Sequence, residues 1–343
     1  MMAMNRIENP PNPFASHDCE YYFPELAPPA HVEIYEDQSR TILSKNDSPD
    51  LSFRWSVNPY RGCFHACTYC YARPSHEYLG FGAGSDFETR LVVKKNAPAL
   101  LREAFLKKSW KGERIVFSGD TDCYQPLEAS YSLTRQLLEV CLEFGNPVSL
   151  ITKSFLIARD LELLKKLHAR THVGVAVSIA FADDKTARLI EPNASAITKR
   201  FEAVRLLSEA GISTGLLVAP IIPGVNDSDI PAILKKAGEC GARWASPILL
   251  RLPGSLKEVF STRLRKIFPM RYEKIEGRIR QMRGGALYRS EFGKRHSGEG
   301  PYWENLEKMF HVYCDKYGLN RDAPGESRPP FKRPSLQQEL LFS

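Results

Sequence analysis

Three cysteines, Cys63, Cys67 and Cys70, stand in the run NPYRGCFHACTYCYAR with C-x3-C-x2-C spacing, and Tyr69 and Tyr71 flank the third. Three thiolates on one short loop can hold three irons of a 4Fe–4S cluster, which ordinarily takes four thiolates. One iron is then left without a protein ligand, and an open metal position is where a site does chemistry. The competing reading is a zinc site completed by His65 or His76. Zinc sites usually pair two Cys/His knuckles far apart in sequence. No second knuckle appears in this chain, which favours the cluster.

The elements that must position such a loop follow from the hydrophobic pattern. Strand-like apolar runs are expected near Phe53–Val57 and at Ile115–Ser118, Pro147–Thr152, Val173–Ala180, Thr214–Ala219 and Trp244–Leu250. Between them lie helix-period stretches at 97–108, 128–144, 158–168, 198–210 and 228–239. Gly211 and Gly241 stand where helix C-caps belong. Six βα repeats imply a parallel sheet with helices outside, an α/β fold consistent with a partial (β/α)6 barrel. The expected organisation is an extended N-terminal arm over 1–50, the barrel over 51–252, a basic helical extension over 253–322 (helices at 255–282 and 303–317) and a mobile tail over 323–343.

At 343 residues, with 43% hydrophobic content and a mean hydropathy of −0.32, the chain can bury a large core. No run approaches the 18 apolar residues of a membrane span, and the N-terminus lacks a signal pattern. A cytoplasmic location is expected. The eight cysteines then read as thiols or ligands rather than disulfides, with Cys141 and Cys240 as packing residues.

The cysteine spacing resembles the cluster motif of the radical S-adenosylmethionine (radical SAM) enzymes. The resemblance implies a radical-SAM-type partial barrel, a 4Fe–4S cluster with S-adenosylmethionine on the open iron, an electron donor, and a 5′-deoxyadenosyl radical that abstracts hydrogen from substrate. Ligands of parallel barrels gather at the C-terminal strand ends. After the second strand, FSGDTDC offers backbone around Gly119 with Asp120 and Asp122 to grip the methionyl amine. Lys153, after the third strand, could pair the carboxylate. Ser178 in the fourth could bond carboxylate or ribose, or be a satisfied core hydroxyl. Ile221, Ile222 and Pro223 resemble an adenine shelf.

The loop is more closely similar to the spore photoproduct lyase-like subgroup, which shares Tyr-Cys-Tyr around the third cysteine; the likeness covers residues 50–250. It implies cofactor contacts at Lys153 and Ser178 and a hydrogen relay at Tyr71. The subgroup's donor cysteine would fall near Gly119 or Asp120, and neither is a thiol. Cys123, slightly further on, is the candidate donor or else a buried thiol.

Residues 251–343 carry 19 Lys and Arg against 11 Asp and Glu, whereas the rest of the chain sums to −1. Such a concentration is the footprint of a polyanion partner or a solvated helix face. Arg283, Lys294, Arg295 and His296 are the candidate nucleic-acid contacts, with Tyr302 and Trp303 available to stack. The terminal PSLQQELLFS resembles a bacterial sliding-clamp peptide, through Gln338, Leu341 and Phe342 in one register or Gln337, Leu340 and Phe342 in another. The favoured function is radical repair of a DNA lesion by a lyase-type reaction, with DNA favoured over RNA. The alternatives are radical modification of RNA or a protein side chain, and a non-enzymatic iron–sulfur scaffold or sensor at the clamp.

Overall fold

The computed structural model describes residues 32–321 and 331–333. The tail residues Gln337, Gln338, Leu340, Leu341 and Phe342 lie outside the described residues, as do residues 1–31 of the expected arm.

Among the described residues ten strands form two sheets. They are β1 (Glu33–Glu36), β2 (Leu43–Lys45), β3 (Trp55–Val57), β4 (Tyr60–Arg61), β5 (Arg90–Val93), β6 (Ile115–Phe117), β7 (Val148–Thr152), β8 (Val173–Ser178), β9 (Ser213–Ile221) and β10 (Trp244–Leu249). The main sheet has the order β10-β9-β8-β7-β6-β3-β2, and every pairing is parallel except β2 with β3. Its six parallel strands are the six expected from the sequence. Such strands are covered on both faces, so they read as short continuous apolar runs; the VGVAVS of β8 is an example. The smaller sheet, β1-β5-β4, was not anticipated. Its strands have two to four residues and no clear alternation.

The helices are α1 (Asp86–Thr89), α2 (Ala97–Leu106), α3 (Glu128–Tyr131), α4 (Leu133–Phe144), α5 (Leu161–Arg170), α6 (Asp184–Ile190), α7 (Ile197–Glu209), α8 (Ile230–Glu239), α9 (Leu256–Ile267), α10 (Tyr272–Gln281) and α11 (Pro301–Lys316). Two expected helices are each broken into two. Ser132 takes a left-handed φ of 51° between α3 and α4. Between α9 and α10, Pro269 cannot donate to the helical ladder. Gly211 and Gly241, at φ +77° and +79°, stand just past α7 and α8, where a left-handed residue ends a helix.

One hydrophobic cluster runs from Ile42 through the sheet to Leu256, Phe260, Ile275 and Phe310 of the C-terminal helices. Trp303 is buried within it, so this indole packs the core rather than stacking on bases. No helix among the described residues is long and apolar enough to cross a membrane.

Candidate active site

The cysteine loop leaves the main sheet after β3 and is fastened at several points. Gly62 holds φ +70°, and a Cβ there would stand 2.8 Å from the Phe87 carbonyl, which only glycine avoids. The Cys63 amide donates to that same carbonyl at 2.9 Å. Gln125 accepts from the Phe64 amide and donates to the Gly62 carbonyl, both at 3.0 Å. Asn193 donates to the Phe64 carbonyl at 2.9 Å.

A buried ionic cluster lies under the loop. Arg73, fully buried, donates to the carbonyls of Cys67 (3.0 Å) and Ala66 (3.2 Å) and pairs with Glu88 at 2.7 Å. Glu88 also takes Arg263 of α9 at 2.9 Å. Burial works against the Glu88 carboxylate, but the two guanidiniums outweigh it and hold its pKa below the ordinary value. Removing one partner of a buried ionic group leaves uncompensated charge, at a cost of about 3–5 kcal/mol. Glu88→Gln is therefore expected to destabilise the fold by about that amount, read as a lowered urea midpoint. An unchanged midpoint would show that the cluster contributes nothing.

The three thiols are free, with Cys63 and Cys67 buried and Cys70 partly so. Burial pushes the Cys67 thiol up to about 12 and Cys63 well above its ordinary value, and the thiols raise one another. They share one short loop in a place that disfavours bare thiolates, and iron would remove that penalty. Among the described residues no group of three His, Cys, Asp or Glu side chains is placed to hold a single metal ion. A cluster takes one thiolate per iron and does not need such convergence. Both histidines have other engagements: His76 Nε2 lies 2.8 Å from the Arg90 carbonyl, and His65 Nδ1 lies 3.4 Å from Asp122. The donor set fits an iron–sulfur cluster with three protein ligands.

The loop after β6 faces the cysteine loop. Ser118 adopts φ +71°, a strained value for a residue with a side chain, and its Oγ accepts the Cys123 amide at 2.8 Å. At Gly119 a Cβ would approach the Ser56 Cβ to 2.9 Å. Tyr71, 42% exposed, donates its hydroxyl to the Gly119 carbonyl at 3.0 Å. The Arg251 guanidinium lies 5.1 Å over the Tyr71 ring, and its buried Nε has no partner. The Asp120 amide donates to Asn58, while its carboxylate accepts from Ser75 at 3.1 Å.

Asp122 behaves differently from the expectation of an amine ligand. Its carboxylate accepts from Thr152 Oγ1 (2.8 Å), the Lys153 amide (2.7 Å) and the Tyr124 amide (2.9 Å). Burial alone would raise this carboxyl, but His65 and the Lys153 amide outweigh it and hold it at about 2. Asp122 thus braces the β6 loop against the end of β7. Cys123 also departs from expectation. It is 1% exposed within the main core and its carbonyl takes Thr134 Oγ1, so it is a packing thiol.

The Lys153 ammonium sits 5.7 Å from the Tyr69 ring. Burial disfavours its charge, but Cys67, Glu191 and Asp122 prevail and raise its pKa. Tyr69 donates to Glu191, which pairs with Arg200 at 2.5 Å, and Arg200 donates to the Ser178 carbonyl at 3.2 Å. This buried relay joins the cysteine loop to β8, and sequence reasoning missed Arg200 in it. Ser178 Oγ donates to the Ala219 carbonyl at 3.1 Å. Ile221 and Ile222 are buried core side chains; the Ile221 carbonyl accepts from Leu250, and the Ile222 amide goes to Asn226.

The basic candidates are mostly engaged inside the protein. Arg283 is 1% exposed and donates to the carbonyls of Leu250, Lys294 and Arg295, so it is an internal brace and not a phosphate contact. Arg295 pairs with Asp50 at 2.6 Å. His296 Nε2 lies 3.1 Å from Arg251, and burial with Arg251 and Arg295 lowers it to about 4, leaving it neutral at pH 7. Lys294 is exposed near Glu291 (3.4 Å) and Glu299 (3.8 Å).

With this geometry in place, the chain belongs to the radical SAM superfamily, whose model matches residues 57–237. Its cofactors are a 4Fe–4S cluster and S-adenosylmethionine. It is 36% identical over 307 residues to an uncharacterized protein of Mycobacterium tuberculosis, covering 86% of this chain and 85% of that protein. It is 23% identical over 311 residues to a radical SAM Nalpha-GlyT isomerase of Pseudomonas phage M6, covering 90% of this chain and 62% of that protein. Among solved structures, spore photoproduct lyase complexed with dinucleoside spore photoproduct superposes with a TM-score of 0.58 at 18% identity, covering 83% of this chain and 80% of the lyase. A structure of that lyase with both AdoMet and the dinucleoside bound gives 0.53 at the same identity and coverage. These likenesses show the fold.

Proposed function

We propose that this radical SAM enzyme abstracts a hydrogen atom from a nucleic acid, DNA before RNA, in a repair-type lyase or rearrangement reaction. Cys63, Cys67 and Cys70 each hold one iron. Lys153 pairs the methionyl carboxylate, the backbone at Gly119 and Asp120 receives the amine, and Ser178 lies within the same strand-end mouth. When bound and reduced, the cluster supplies an electron that splits S-adenosylmethionine to methionine and a 5′-deoxyadenosyl radical.

The observation that carries this reading is the Tyr71–Gly119 contact. The tyrosine after the third cysteine is half-exposed and lies against the end of β6, beside an Arg251 that pairs with no carboxylate among the described residues. Such an aromatic, cationic mouth suits a base with its phosphates. Support for the substrate class comes from the dinucleoside bound by the structural neighbour. Tyr71 is the hydrogen relay of the reading. A side chain at 119 would crowd Ser56, and Gly119 and Asp120 supply no thiol to act with Tyr71.

Tyr71→Phe tests this directly. The variant is expected to keep 5′-deoxyadenosine formation without substrate and to lose about tenfold or more of turnover on UV-irradiated DNA, in the range of a positioned proton-transfer group. Turnover on irradiated DNA equal to wild type would remove the relay. If irradiated DNA leaves the wild-type reaction unchanged while RNA is modified, RNA is the substrate. The tail at 337–342 is proposed as the clamp peptide, and its removal is expected to abolish binding to purified sliding clamp.

A further inference from the structure

Two cations that form no ion pair among the described residues, Arg61 and Lys94, lie near Asp120 of the loop after β6. Arg61 of β4 and Lys94 just after β5 are both half-buried, and neither makes an ion pair or side-chain hydrogen bond with any described residue. Their placement follows from register. β4 runs antiparallel to β5 with Tyr60 opposite Val93 and Arg61 opposite Val92. Side chains alternate between faces. Tyr60 and Val93 share the face packed on Leu133, so Arg61, Val92 and Lys94 share the other. Arg61 and Lys94 are diagonal neighbours there, at a spacing of about 7–8 Å.

Their acidic neighbours Asp37 and Asp120 act on them only from beyond ion-pair distance. Arg90, on the same face of β5, has Asp86 (3.5 Å) and Glu33 (3.7 Å) as partners. Asp120 directs its carboxylate to Ser75 at 3.1 and 3.2 Å and forms no ion pair. Burial lowers the Lys94 pKa and Arg61 lowers it further, against opposing pulls from Asp37 and Asp120. Two like charges kept together and partly dehydrated destabilise the empty site, and an anion bound between them would reverse that. Asp120 links this place to the mouth, because it follows the Gly119 that receives Tyr71.

We propose that Arg61 and Lys94 form a phosphate-binding site that holds one backbone phosphate beside the reacting nucleotide. The guanidinium offers two parallel donors to phosphate oxygens and the ammonium a point charge. The inference rests on the nucleic-acid reading and adds the residues that grip the substrate backbone.

The test uses the reconstituted holoenzyme and a fluorescent single-stranded oligodeoxynucleotide, with affinity measured over a salt series. The Arg61→Gln/Lys94→Gln protein is expected to bind about tenfold more weakly at low salt. Its slope of log affinity against log salt is expected to flatten by about 0.7, the value for one phosphate on a single strand. A control altered at the exposed Lys107 and Lys108 should keep the wild-type slope. An unchanged slope in the double variant, or an equal change in the control, overturns the site without touching the nucleic-acid reading. Should the double variant fail to fold, Lys94→Gln alone carries the same comparison. If inorganic phosphate competes as well as the oligonucleotide does per phosphate, the ligand is a small phosphorylated molecule and the backbone assignment falls. If the wild-type holoenzyme binds no oligonucleotide, both readings fall together, and 5′-deoxyadenosine formation shows whether the radical chemistry survives them.

Discussion

A Cys67→Ala protein is expected to fold, to hold no 4Fe–4S cluster after anaerobic reconstitution, and to form no 5′-deoxyadenosine. The loop that carries Cys67 is fixed by contacts that do not involve its sulfur. Arg73 takes the Cys67 carbonyl, Gln125 and Asn193 hold the preceding segment, and the Cys63 amide is tied to Phe87. Removing one sulfur from a buried side chain leaves a small cavity, so the loss in stability should be about 1 kcal/mol. The loss in chemistry should be complete, because two thiolates on a loop of this length leave two irons unheld. Iron and sulfide content, visible absorbance and thermal unfolding together read the outcome. A variant that still cleaves S-adenosylmethionine would show that another residue is the ligand.

Lys153→Met is expected to weaken S-adenosylmethionine binding by about 10- to 150-fold while leaving iron content unchanged. The substitution keeps most of the side chain's volume and removes its charge. A hydrogen bond to a charged group is worth about 1.5–3 kcal/mol, and each 1.4 kcal/mol is a factor of ten. Lys153 suits the role because Cys67, Glu191 and Asp122 keep it protonated despite burial, yet among the described residues it forms no ion pair with a carboxylate. Equilibrium binding to the reconstituted protein measures the effect. Wild-type affinity would mean that the carboxylate is held elsewhere, with Ser178 or Arg200 the next residues to change.

The main sheet was legible because each parallel strand is a short apolar run bounded by helix-period sequence. The strand expected at Val173–Ala180 occupies Val173–Ser178, and the one expected at Trp244–Leu250 occupies Trp244–Leu249. The break inside 255–282 was signalled by Pro269. The break at Ser132 was not, because a left-handed serine has no marker in sequence. The β1-β5-β4 sheet depends on pairing between segments far apart in the chain, and its exposed β1 carries no hydrophobic pattern.

Within the site, the spacing of Cys63, Cys67 and Cys70 was visible at once, whereas the supports around them were not. Arg73, Arg200 and Arg263 look like surface arginines in a linear sequence, and arginine is rarely buried unless paired. Their partners Glu88 and Glu191 lie between 9 and 175 positions away. The same blindness to pairing explains Arg283, which contributes to the basic count of the C-terminal segment while donating only to internal carbonyls. It also explains Asp122, whose carboxylate is consumed by the end of β7. Cys123 stands near Gly119 in sequence, but the turn at Ser118 sends it into the core.

The measurement closest to the central claim is 5′-deoxyadenosine formation by the wild-type protein. The chain is reconstituted anaerobically with iron and sulfide, its four-iron cluster is verified, and it is reduced and given S-adenosylmethionine with and without UV-irradiated DNA. 5′-Deoxyadenosine is expected in both cases, with a yield altered by the irradiated DNA. No 5′-deoxyadenosine from a verified, reduced four-iron cluster would contradict that claim.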